Sequence, residues 1–263
     1  MFGLLSKSSI PIPETSIDWL FNGFSWCLQN FGDESFYQNT TLVLPSDQFF
    51  PGRANNAFDM SQLIFDQVRN YCGLSYWPVE LVDVHHEQPG ENDMSLPAVL
   101  ENTGQRLRIY MEPRQAANPE VQIANFAHIL AHHLSFLAKS PPPCEEDEWF
   151  HLMELVAVFM GFGLMMANTA RPYRGGGCAR CVSPELERQG FLSEDELTYA
   201  LAIFCTLKEI PEKSVKPYLK GSLFSVFKRS LKDIQKRTEH VIEVKQSRSE
   251  NQLRQFNQVA LCK

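Results

Sequence analysis

Two histidines raise the first chemical question. His128 and His132 lie four residues apart in the run Phe126-Ala127-His128-Ile129-Leu130-Ala131-His132-His133. On a helix this spacing separates the two side chains by about 40° around the axis, so both imidazoles can reach one metal ion. Zn²⁺ wants a third protein ligand, with water completing a tetrahedron. Glu154, 22 residues after His132, is the only charge in the apolar half of the next helical stretch. A lone carboxylate in such a place is costly unless a metal or a donor meets it. These residues make His128, His132 and Glu154 a candidate zinc set. The ordinary alternatives are a structural histidine pair and a carboxylate paired with an arginine such as Arg171. Asp147, His151 and Glu154 follow one another at i, i+4 and i+7, on one side of a helix. His151 and Asp147 are therefore alternative ligands, or groups that orient Glu154.

Other candidate groups carry less. Cys178 and Cys181 form a CxxC after three glycines. A structural zinc site needs two further ligands, and no second CxxC or CxxH exists, so a thiol pair in a surface loop is the ordinary reading. His85-His86-Glu87 follows an alternating segment and reads as a polar turn.

The pattern His128, His132 and Glu154-Leu155-Val156-Ala157 resembles the HExxH and ExxA elements of gluzincin metallopeptidases. Val158-Phe159-Met160-Gly161-Phe162-Gly163, Gly190-Phe191-Leu192-Ser193-Glu194 and Tyr199-Ala200-Leu201-Ala202 resemble segments of uncharacterised bacterial proteins with an HExxH-type helix. That likeness extends over roughly residues 36–235. It implies a zincin-like core, with residues 106–111 as the edge strand beside the cleft and a peptide or protein ligand in it. One departure bears directly on activity. In an HExxH peptidase the glutamate after the first histidine takes a proton from zinc-bound water, and here that position is Ile129. Losing a general base removes about 10²–10⁴-fold of rate. The resemblance thus implies a degenerate HIxxH homologue with impaired or lost peptidase activity. The competing expectations are an interaction or structural module that keeps the fold without metal, and a zinc hydrolase using another base.

The elements that must position these groups follow from periodicity. Residues 17–24 and 58–72 repeat apolar side chains at helical spacing, and 40–44, Thr-Thr-Leu-Val-Leu, reads as a strand. Residues 79–84 and 106–111 alternate and are the clearest strands. From Pro119 the pattern is helical: 121–138, ended by three prolines, 147–168, 193–207 behind a Ser193/Glu196 capping box, and 222–240. The expected fold is α+β, with an N-terminal sheet subdomain (1–113), a helical zincin-like subdomain (114–240) and a polar, frayed tail (241–263).

Composition sets the outer bounds. Of 263 residues, 44% are hydrophobic and 21% charged, the profile of a globular chain. Residues 1–212 carry 12 Lys and Arg against 27 Asp and Glu, whereas 213–263 carry 12 against 4. An acidic body repels phosphate, which disfavours nucleic acid, and the basic C-terminal helix has that body as its nearest docking partner. Seven scattered cysteines fit a reducing, cytoplasmic setting. The uncharged run 155–170 is shorter than the roughly 20 residues of a bilayer span, so a buried helix is expected.

Overall fold

The computed structural model describes residues 10–87, 90, 104–111, 116–171 and 188–247. Cys178 and Cys181 lie outside them. The described chain is mainly helical with a small two-stranded parallel sheet, an α+β arrangement at the coarse level. Its helices are α1 (Glu14–Phe31), α2 (Asp33–Gln38) and α3 (Ala57–Tyr71). Strands β1 (Val79–Asp83) and β2 (Leu107–Met111) follow, pairing Val79 with Leu107 and Asp83 with Met111. Next come α4 (Pro119–Ser135), α5 (Trp149–Ala157) and α6 (Gly163–Thr169). A minimal parallel pair, β3 (Ala170–Arg171) and β4 (Arg188–Gln189), precedes α7 (Glu194–Leu207), α8 (Glu212–Val215), α9 (Gly221–Ile234) and α10 (Thr238–Gln246).

Local chemistry accounts for the helix starts. Asn56 and Asn118 each accept a backbone N–H of the first turn, from Asp59 (2.8 Å) and Val121 (3.3 Å). Pro119, whose missing N–H would have had no partner, opens α4. At α7 the capping box forms as its sequence pattern requires. Ser193 N donates to Glu196 Oε2 at 2.9 Å, and Glu196 N to Ser193 Oγ at 3.2 Å.

The core is continuous from α1 to α10. Its centre is α5 and α6, where every residue from Leu152 to Thr169 is buried. The helical run Glu146–Thr169 is long and apolar enough to cross a membrane, yet 89% of its apolar window is buried inside this fold. The helix expected over 147–168 is interrupted. A π-helical turn spans Val158–Phe162, and Gly161 takes φ 102°, a conformation that L side chains rarely adopt. The reason lies outside the helix. Residues 40–44, expected as a strand, pair with no strand among the described residues. They run against this turn, Val43 N donates to Gly161 O at 3.0 Å, and a Cβ on Gly161 would collide with the Thr41 carbonyl oxygen. Gly23 serves a similar approach: a Cβ there would strike Leu155, so α1 crosses α5 closely.

The helix expected over 222–240 is two helices, α9 and α10. Arg237 at the break donates from Nε to Asp233 Oδ2 at 2.6 Å and from Nη2 to Glu14 Oε2 at 2.8 Å. Tyr199 OH donates to the same Asp233 oxygen at 2.8 Å, and His240 Nε2 lies 3.1 Å from Asp18 Oδ1. The C-terminal helices thus meet α1 through the Arg237–Glu14 ion pair and α7 through the Tyr199–Asp233 hydrogen bond and the Lys220–Glu194 ion pair.

Candidate functional site

Helix α4 buries Val121, Ile123, Ala124, Phe126, Ala127, Leu130 and Ala131, which fixes its rotation. The remaining arc carries His128, His132 and His133, all half-buried. Ile129 is partly buried against the core, so the position of the expected general base is an apolar packing residue. Helix α5 packs along α4 and buries Glu154 completely. Its carboxylate has a backbone partner: Leu192 N donates to Glu154 Oε2 at 2.7 Å. A backbone N–H on a buried carboxyl oxygen answers part of its burial cost.

Phe191, the preceding residue, reaches α4. Its ring stands edge-on to His128, with centroids 5.9 Å apart, and lies 5.9 Å from His151. Phe191 then stacks on Phe150 at 5.0 Å, and Phe150 on His132 at 6.1 Å. His132 also meets Phe136 at 4.9 Å and Trp149 at 6.2 Å, both edge-on. The rings form one unbroken ridge across the ends of α4, α5 and the segment before α7.

Burial pushes the His132 imidazole below its ordinary value, and His133 falls to about 4 through burial reinforced by the charge of His132. Both are neutral near pH 7. Nδ1 of His133 and Nδ1 of His151 are buried without a hydrogen-bond partner.

The structure brings two of the three sequence-selected ligands to one dipeptide: His128 touches Phe191 and Glu154 holds Leu192. His132 sits one helical turn on, among aromatic rings. His151 is the third residue of α5, against Phe191, and Asp147 is exposed in the 3₁₀ turn Glu146–Glu148. Among the described residues no three His, Cys, Asp or Glu side chains are grouped to hold a metal ion. His85 and His86 lie in an exposed turn after β1, where Arg108 bridges Glu80 (3.0 Å) and Glu87.

Sequence reasoning missed the ridge itself. Phe136, Phe150 and Phe191 are about half exposed (50%, 46% and 46%). The available signal was their position near helix ends: Phe136 directly follows α4, four residues after His132, Phe150 precedes His151 in the first turn of α5, and Phe191 stands just before the capping box of α7. Comparison of the chain with protein-family models, curated proteins and solved structures returned no match.

Proposed function

We propose that this chain is a zincin-like pseudoenzyme: it keeps the paired-helix frame of a metallopeptidase but acts by binding rather than by turnover. The observation that carries the reading is the state of Glu154. Its carboxylate accepts the Leu192 amide inside the core, a structural task that ties the segment before α7 to α5. Ile129, packed against the core, supplies no base. The half-exposed aromatic ridge provides a contact surface, since contiguous exposed apolar area on a folded chain marks an interaction site.

The experiment is a peptidase assay on protein purified without chelator or histidine tag, using a casein-derived peptide mixture with and without added zinc. No hydrolysis is expected from the native chain or from Ile129→Glu. Zinc-dependent hydrolysis by either protein would refute the reading.

A second reading, zinc held by His128, His132 and Glu154, is favoured by one observation, that His128 and Glu154 contact consecutive residues. It requires Glu154 to ligate while its Oε2 accepts Leu192 N, and His132 to turn from Phe150 toward it. Metal content separates the two readings.

A further inference from the structure

We propose that the ridge and the groove beside it form a docking surface for a basic, apolar segment of a partner protein, a Lys or Arg side chain entering the groove while neighbouring apolar side chains cover the ridge. This rests on the binding reading above and names its partner class.

The groove is a cavity of about 370 Å³ between the first turns of α1, the start of α5 and the segment before α7. Trp19 and Phe191 are its aromatic lining residues, and Glu148, Glu196 and His151 line it as well. Its volume is at the lower end of the roughly 300–1,000 Å³ of small-molecule sites, enough for one long side chain. Phe191 belongs to groove and ridge alike, which makes them one surface.

Charge selects the occupant. Glu148 lines the groove, and the exposed Glu145, Glu146 and Asp147 precede it in the chain, immediately before Trp149 and Phe150. Glu196 keeps its carboxylate at the groove through bonds from Ser16 Oγ (2.8 Å) and from Ser193 N and Oγ, all of them neutral donors. Among the described residues no Lys or Arg pairs with Glu148 or Glu196. An acidic groove with aromatic lining residues favours a cation: the carboxylates supply the charge, and the rings attract it through their faces while covering its aliphatic stem. Four large apolar side chains, Phe136, Leu137, Phe150 and Phe191, are exposed together at this end. An apolar centre with a charged rim is the anatomy of a protein contact. An anionic ligand, nucleic acid included, would meet the carboxylates of Glu148 and Glu196 in the groove.

The test uses the full chain and fluorescently labelled, end-blocked short peptides: alternating Arg and Leu, alternating Glu and Leu, and alternating Arg and Ser. Binding is read by anisotropy at low and at high salt. The Arg-Leu peptide is expected to bind saturably and to weaken with salt, while the Glu-Leu peptide does not bind. The Arg-Ser peptide should bind at least about tenfold more weakly, the scale of one lost apolar anchor. The double substitution Phe150→Ser with Phe191→Ser should cost at least the same factor, as should Glu148→Gln with Glu146→Gln. Circular dichroism and thermal melting establish that these surface variants fold. Absence of Arg-Leu binding, equal binding of the Glu-Leu or Arg-Ser peptide, or binding unchanged in the folded double Phe variant would overturn the proposal. Self-association of the native chain that is abolished by the Phe pair would overturn it too, by giving the surface to a second copy. Zinc content and hydrolysis judge the pseudoenzyme reading independently of these outcomes.

Discussion

Replacing Gly161 by alanine tests how the frame of the site is held. Gly161 has φ 102° and ψ 2°, and its carbonyl accepts Val43 N at 3.0 Å. An alanine in that conformation is strained by about 1–3 kcal/mol. The new methyl group also has no room, because the atom it meets is the Thr41 backbone carbonyl, which no rotamer change can move. Relieving the collision means pulling residues 40–44 away from the turn and losing the Val43 bond, a further 0.5–1.5 kcal/mol or so. It also opens the contact of buried Leu42 and Val43 with the core. Together these give a loss of about 3–5 kcal/mol, a large share of the stability of an ordinary domain. Urea unfolding followed by far-ultraviolet circular dichroism measures it, with Gly73→Ala as a comparison. Gly73 also has positive φ (71°), but a Cβ there meets nothing within 4 Å, so only the strain is expected. If Gly161→Ala costs no more than Gly73→Ala, the reasoning from the Thr41 contact is refuted.

Three further predictions concern other parts of the frame. The folded chain holds His133 down at about 4 against 6.5 unfolded, so stability is full above pH 6.5 and is lost as pH falls from there toward 4. The loss should be about 1–2 kcal/mol after allowing for partial exposure, and His133→Asn should flatten it; equal acid slopes in both proteins would contradict this. Asp233→Asn weakens the acceptor shared by Tyr199 and Arg237 and should cost about 1–3 kcal/mol. Hydrogen exchange should then rise in α10 and not in α4, and uniform change across both would argue against a local clamp. Ser193→Ala removes half of the capping box at α7 and should lower stability by about 1 kcal/mol in the same urea assay; no change would show that the cap carries no weight.

Much of this frame was legible in the residues. The helices α3, α4 and α7 and both strands of the larger sheet fall where periodicity put them, because each buries one face and is bounded by Asn, Pro, Gly or a Ser/Glu box. Three features depend on contacts distant in sequence and were not legible. Residues 40–44 have the composition of a strand but bond to a helical turn instead of a strand. Within the run expected as one helix over 147–168, residues 155–167 are apolar throughout, so the break at Gly161 is set by Thr41 and not by any polar interruption. The division between α9 and α10 contains no Gly or Pro and coincides with Arg237 turning to Asp233 and Glu14. At the site, burial of Glu154 followed from its apolar neighbours, whereas its Leu192 partner, 38 residues away, did not. The aromatic ridge was hidden because periodicity identifies the side chains that go inside and says nothing of those stacked outside.

The central claim is that this frame binds without a metal-dependent reaction, and its most direct test is zinc content. The native chain, His132→Ala and Glu154→Gln should be purified without chelator or histidine tag, then analysed by inductively coupled plasma mass spectrometry. The account predicts zinc far below one per chain in all three, unchanged by either substitution. One zinc per native chain, lost in both variants, would contradict it.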